Sequence, residues 1–291
     1  MNVGFVGVGA MGAPMVGCIS RAGHDVVVYD SSAERARFVG EETGCRTAVG
    51  ISDLAASEII VTMLPTGQIV RDLYLREGLA NELRPGTIAI DMSSSDPTGT
   101  RELGAALAAR GITLIDAPVS GGVPRAALGT LAIMIGGDDP NAIGRARPLL
   151  STMGDRLFDT GGLGSGHAMK ALNNFVAAAG FAACAEALLA GKRFGLDPAR
   201  MVEILNVSTG RNFHTDLVLR EHVLGGKFAS GFQLGLLAKD VGIARDLTRA
   251  LDFDAPVLEL VSQRFDQARD ALGYARDNTE AIKAWDKNRS T

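Results

Sequence analysis

Asn2-Val3-Gly4-Phe5-Val6-Gly7-Val8-Gly9-Ala10-Met11-Gly12, followed by Ala13-Pro14-Met15-Val16, is the stretch that decides the fold. Residues 2–6 read as a short apolar strand. Three glycines at Gly-x-Gly-x-x-Gly spacing come next, and then a helix start. Pro14 fits there, because the first amides of a helix have no internal partner. Asp25-Val26-Val27-Val28-Tyr29 is a second strand, ending at Asp30. Strand, glycines, helix and strand in this order form the dinucleotide fingerprint in its required context. Gly7 makes the tight turn, Gly9 lets the backbone approach a pyrophosphate, and Gly12 lets the helix pack on the strand. Val8, Ala10 and Met11 complete the same cofactor loop, and the helix beyond it presents free amides and a positive dipole end. Asp30 lies eighteen residues past Gly12. It either accepts hydrogen bonds from the adenine ribose hydroxyls or is a solvated strand-end carboxylate. With Ser31 beside it and no arginine adjacent, NAD is favoured over NADP. Arg35 and Arg37 on the next helix read as solvated.

The alternation continues outward. Strands are expected at 58–64, 87–91, 113–116, 131–136 and 156–158, with helical segments such as 100–110 between them. Near-continuous apolar strands separated by helices mean an α/β, doubly wound, mostly parallel sheet, and ligands bind beyond its carboxyl ends. Pro65, Ser94 and Ser120 stand at such ends. Ser120-Gly121-Gly122 is either a simple turn or a cradle of one hydroxyl and two unhindered amides for an anion.

After Gly164 the strand pattern stops. Helices are expected at 167–194, 198–208, 213–224, 233–251, 255–271 and 278–288, with Asp197-Pro198 as an N-cap followed by an N1 proline. The expected domains are therefore 1–162, a Rossmann domain, and 163–291, all-helical with a long bridging helix. Gly164-Ser165-Gly166-His167-Ala168-Met169-Lys170-Ala171-Leu172-Asn173-Asn174 opens that helix. Lys170 and Asn174 are four apart and share a face, with Asn173 beside them. The helix is apolar almost all round, which suits burial. Lys170 then either snorkels at the helix end or serves chemistry. Lys239-Asp240, on a later helix, reads on position alone as a solvated pair.

Composition narrows the function classes. The 291 residues carry 46% hydrophobic and 21% charged residues and a net charge of −4, which argues against a nucleic-acid surface. Cys18, Cys45 and Cys184 match no metal or disulfide spacing, and the four histidines show no metal-binding pattern. No apolar run approaches a membrane span, and the N-terminus lacks a signal peptide's basic region. The expectation is a cytoplasmic protein without metal, membrane or nucleic-acid partner.

Together these stretches resemble the β-hydroxyacid dehydrogenase family, of the 3-hydroxyisobutyrate dehydrogenase and tartronate semialdehyde reductase type. The resemblance covers nearly the whole chain. It rests on the 7–12 glycine loop, Met63-Leu64-Pro65, Asp91-Met92-Ser93-Ser94, Asp116 to Gly122, Gly129-Thr130-Leu131, Lys170-x-x-Asn173-Asn174, and Gly231-Phe232 with Lys239-Asp240. It implies NAD-dependent interconversion of a small 3-hydroxy acid and its semialdehyde, with Lys170 as general acid/base and Asn174 as its catalytic partner. Ser120, Gly121, Gly122, Lys170, Asn173 and Asn174 would hold the small carboxylic acid substrate. Ser31, Met63, Leu64, Pro65, Ser94, Phe232 and Lys239 would line the cofactor site. Two substrate cues diverge: Val123-Pro124-Arg125-Ala126 resembles the tartronate semialdehyde type, Thr209-Gly210-Arg211 the isobutyrate type. A non-catalytic NAD-binding protein and an imine reductase, which usually lacks this lysine, are the alternatives on the same fold. A homodimer or homotetramer follows by family analogy.

Overall fold

The structure is a computed structural model that describes residues 1–286. The chain forms two compact units, Met1–Lys170 and Ala171 onward.

In the first unit, nine strands among the described residues form one sheet. They are β1 (Asn2–Val6), β2 (Asp25–Tyr29), β3 (Arg46–Thr47), β4 (Ile59–Thr62), β5 (Ile88–Asp91), β6 (Thr113–Asp116), β7 (Val119–Ser120), β8 (Leu131–Gly136) and β9 (Gly154–Gly161). Their order is β3-β2-β1-β4-β5-β6-β8-β7, with β9 beside β8. All pairs from β3 to β6 are parallel; β8 runs antiparallel to β6 and β7 and parallel to β9. The chain leaves β1 for β2 and β3, then returns to β4 on β1's other side. That reversal opens a crevice beyond the carboxyl ends of β1 and β4.

Burial explains the apolar strands. Phe5, Val61, Ile90 and Ile115 pack with Met15, Ile19, Leu149 and Met153, while Val6, Ile60, Ala89 and Leu114 pack with Tyr74, Leu79, Leu103 and Leu107. Alternate residues thus feed opposite faces, as a period of two demands. The two-residue strands β3 and β7 are too short to leave a sequence signal, and β4 is shorter at both ends than the expected 58–64.

The helix Ser165–Phe194 spans 30 residues, beginning in the first unit and supplying core side chains to the second. Contrary to the expectation of burial all round, Val176 is 68% exposed, and Met169 and Leu172 are exposed with it. Its other face, Ala178, Phe181, Ala185 and Leu188, is buried against Val241, Ala244, Phe265 and Trp285 in the same cluster. By length and apolarity this helix meets the dimensions of a bilayer span, against the expectation that no run would.

The second unit's other α-helices among the described residues are Pro198–Asn206, Leu234–Ala250, Pro256–Leu272 and Ala281–Trp285, with a 3₁₀ turn at Asn278–Glu280. Asp197 caps the first of these, accepting from the Arg200 amide at 3.0 Å. The segment expected as a helix over 213–224 is wound as a π-helix, His214–Leu224, which the apolar spacing does not separate from an α-helix. Of the expected helix at 278–288, positions 287 and 288 lie outside the described residues. Phe181, Phe265 and Trp285 form an aromatic cluster with centroids 5.3–6.5 Å apart, and the Arg264 guanidinium lies 4.9 Å from the Trp285 ring. Such pairs add about 0.5–1.5 kcal/mol each beyond area burial.

Candidate active site

The carboxyl ends of β1, β2, β4 and β5 bring one set of residues together. The Gly7 amide donates to the Tyr29 carbonyl at 2.9 Å, and the Val8 amide to Asp30 Oδ2 at 2.9 Å. Asp30 Oδ1 accepts from the Ser32 amide at 2.9 Å. The carboxylate is therefore held in place by the glycine loop it faces, not solvated, and its side chain is 8% exposed. Arg35, expected to be solvated, lies with Nη1 4.0 Å from Asp30 Oδ1, though its side chain is 55% exposed. Ser31 is exposed. Ser32, beside it, caps the helix Ala33–Thr43.

These residues fit a dinucleotide. Gly7 has φ +94, a left-handed conformation that disfavours any side chain. A Cβ at Gly12 would overlap the Gly7 carbonyl oxygen, so helix and strand touch there. A Cβ at Gly9 would meet no heavy atom within 4 Å, so open space faces the middle of the loop. Ala10 is exposed, and Met11 packs partly on the core. The helix Gly12–Arg21 starts with no side-chain cap, and its Ala13 amide donates to the Gly9 carbonyl at 3.0 Å. Beyond β4, Met63 and Leu64 are half-buried and Pro65 is exposed. The Leu64 amide donates to Ser93 Oγ at 2.9 Å, tying this edge to the loop that carries half-buried Ser94.

Ser120 ends β7 and is half-buried, whereas Gly121 and Gly122 are exposed. Gly121 has φ +136 and Gly122 φ +67. Both glycines are thus required by the backbone path, and a Cβ at Gly122 would meet only Pro124 Cδ, at 3.8 Å.

Lys170 is half-buried in the second turn of the long helix. Asn174, one turn on, is buried, and its Nδ2 donates to Asp240 Oδ2 at 2.6 Å. Asn173 Nδ2 donates to Asn174 Oδ1 at 3.3 Å. Lys239 Nζ stands 3.0 Å from Asp240 Oδ1. The Lys239-Asp240 pair is therefore not a solvated one: Asp240 is 2% exposed and orients the Asn174 carboxamide. Burial, then the Asp240 charge, raises the Tyr274 phenol. Phe232 packs partly on the second unit's core, and its carbonyl accepts from both the amide and Nδ2 of Asn278 at 2.9 Å.

Residue type and spacing alone assign no role to Asp91, Asp116 or Thr100, and they make Asp240 half of a solvated pair. The available signal was an aspartate closing each of two apolar strands, at 91 and 116, and one inside an apolar helix at 240. Burial, followed by the Asp91 charge, raises the Tyr74 phenol.

Comparison with known proteins gives two family matches. Residues 2–162 match the NAD binding domain of 6-phosphogluconate dehydrogenase. Residues 164–285 match the domain described as NAD-binding of NADP-dependent 3-hydroxyisobutyrate dehydrogenase. The 2-(hydroxymethyl)glutarate dehydrogenase of Eubacterium barkeri is 34% identical, over 99% of this chain and 95% of that protein. The NAD-dependent L-serine dehydrogenase of Pseudomonas aeruginosa is 34% identical over 88% of each chain. Among solved structures, the Mycobacterium tuberculosis 3-hydroxyisobutyrate dehydrogenase with L-serine superposes with TM-score 0.90 at 31% identity, over 99% of both chains.

Proposed function

From the premise that the chain belongs to the β-hydroxyacid dehydrogenase family and is an NAD-dependent hydroxyacid oxidoreductase, we propose how it works and on what. The substrate is a small 3-hydroxy acid of the 3-hydroxyisobutyrate kind, converted to its semialdehyde. The observation that carries this reading is the pair on one helix, half-buried Lys170 and buried Asn174, with the Asn174 amide fixed by Asp240.

Bound NAD supplies the acceptor for the hydride on the carbinol carbon. The chain's own residues do the rest. The Ser120 hydroxyl and the amides of Gly121 and Gly122 hold the substrate carboxylate. Lys170 takes the hydroxyl proton, or returns it in the aldehyde-reducing direction. Asn174 positions the hydroxyl and, being an amide, does not compete as a base. Asn173 borders the same face. Asp30 binds the adenine ribose, the 7–12 loop the pyrophosphate, and Met63, Leu64, Pro65, Ser94, Phe232 and Lys239 the cofactor's flanks. The stripe Met169, Leu172 and Val176, exposed at helical spacing, supports a homodimer or homotetramer. The free thiols Cys18, Cys45 and Cys184 support a cytoplasmic setting.

The test is NADH formation across 3-hydroxyisobutyrate, glycerate, threonate, 3-hydroxypropionate and L-serine. The highest kcat/KM is expected on 3-hydroxyisobutyrate; a clear preference for glycerate, threonate or L-serine, or turnover of none of them, overturns this substrate. Ser120→Ala leaves the two positive-φ glycines untouched. It should raise the substrate KM roughly 10- to 100-fold, the worth of a hydrogen bond to a charged group. NAD affinity should hold; if it collapses while the substrate KM stays put, Ser120 belongs to the cofactor instead.

NAD should outperform NADP in kcat/KM. Asp30→Asn keeps an oxygen for the Val8 amide but removes the charge that repels a 2′-phosphate. The NAD-to-NADP ratio should then shrink by about tenfold, since the Coulomb term is worth about 1–4 kcal/mol near a surface. A wild-type protein that uses NADP equally well ends this assignment.

A further inference from the structure

Three strands end in a polar row. Thr62, Asp91 and Asp116 are register partners at the carboxyl ends of β4, β5 and β6, so their side chains share one sheet face. Asp91 is 2% exposed and Asp116 0%. Two neighbouring carboxylates are costly to bury unless each is well hydrogen-bonded. Asp91 accepts from Thr62 Oγ1 at 2.9 Å, the Ser93 amide at 3.0 Å and Ser95 Oγ at 2.7 Å. Asp116 accepts from the amides of Gly164 at 2.7 Å and His167 at 2.8 Å. Those amides belong to the start of the long helix, so Asp116 caps it from a distant strand. Gly136 of β8 pairs with Asp116, and a side chain there would overlap the Asp116 carboxylate.

His167, 1% exposed, fills the space between. Its Nδ1 lies 2.8 Å from Thr100 Oγ1, and its Nε2 lies 3.6 Å from Asp91 Oδ2, in contact but without a hydrogen bond. Thr100 Oγ1 also lies 2.9 Å from the Asp96 carbonyl, one turn back on its own helix. Asp91 therefore meets the Ser93–Ser95 loop on one side and the helix start on the other. Lys170 follows His167 by three residues, on the adjoining helix face.

We propose that Asp91 and His167 are positioning residues that key the first turn of the long helix to the carboxyl ends of β4–β6, and so fix Lys170 against the Leu64 and Ser94 edge. The inference rests on Lys170 as the acid/base. A misplacement of about 1 Å from a change away from the chemistry costs about 10²-fold in rate. Buried polar contacts that serve stability alone would leave the turnover of the folded enzyme untouched.

The experiment combines steady-state kinetics, NAD binding by calorimetry and folding by circular dichroism. His167→Ala should lower kcat roughly 10- to 10²-fold with NAD affinity retained, and His167→Gln, which keeps a hydrogen-bonding group for Thr100, should recover part of the loss. Added to Lys170→Ala, His167→Ala should lower the residual rate little further, because both act on one step. A His167→Ala enzyme with wild-type kcat and a lower Tm overturns the proposal. Losses that multiply in the double variant also overturn it, by giving His167 a role of its own. If Lys170→Ala alone runs within a few-fold of wild type, the acid/base reading fails and takes this one with it. Should His167→Ala not fold, Thr100→Val removes only the hydroxyl facing Nδ1. A lowered kcat there supports the proposal, and an unchanged one overturns it.

Discussion

Lys170→Ala should lower kcat by roughly 10²- to 10⁴-fold, the usual worth of a general acid/base, with NAD affinity unchanged. A carbinol carbon releases hydride efficiently only when its hydroxyl proton also leaves, so a base must stand within hydrogen-bond reach. Lys170 is half-buried, one turn before an amide that Asp240 holds in place. His167 is occupied elsewhere: it lies at 1% exposure among Thr100, Asp91 and Asp116. The glycine loop and Asp30 are untouched by the substitution, so the cofactor should still bind. Lys170→Arg should fail nearly as badly, because a guanidinium stays protonated and cannot accept the proton. NADH formation with the substrate found by screening, beside NAD titration, decides the matter. A Lys170→Ala enzyme within a few-fold of wild type removes Lys170 from the mechanism.

Two glycines of the loop should fail in different ways. At Gly12 an added methyl would overlap the Gly7 carbonyl oxygen and come within 3.1 Å of the Phe5 ring. Gly7 cannot yield easily, since its φ is +94 and its amide is bonded to Tyr29. Gly12→Ala should therefore push helix off strand, costing about 1–3 kcal/mol of stability, as overpacking does. NAD affinity should fall by roughly 10²-fold with it, because several loop amides shift together. Gly9→Ala meets open space, so its Tm should match wild type while NAD affinity falls to a similar degree. Calorimetric titration and thermal melts on both variants give the comparison. If Gly9→Ala binds NAD normally, the loop does not hold the pyrophosphate.

What the sequence made legible was local. The Gly7–Gly12 loop, Asp30 and the apolar strands could be read because strand, turn and helix follow one another along the chain. The Asp197 cap was legible for the same reason. Asp240 was not: its partner Asn174 is 66 residues away, and a Lys-Asp pair in a helix reads as solvated until packing is known. Asp116 likewise binds the His167 amide across 51 residues, so its role as a helix cap leaves no local trace. The long helix misled in the opposite direction. An apolar composition permits burial without enforcing it, and Val176 remains exposed. The π winding over His214–Leu224 escaped because side-chain spacing reports which residues face inward, not which carbonyl each amide meets.

The aromatic cluster of the second unit has a spectroscopic consequence. Trp285 is the chain's one tryptophan, and it lies buried against Phe181 and Phe265 with its indole N–H donating to the Arg264 carbonyl at 3.3 Å. The glycine loop, Asp30 and the sheet hold no indole at all. Intrinsic fluorescence in a denaturant series therefore reports the melting of the helical unit, whereas far-ultraviolet dichroism reports both units. The gap between the two midpoints, with and without NAD, measures how tightly melting of the nucleotide-binding half is bound to melting of the half that carries the dye.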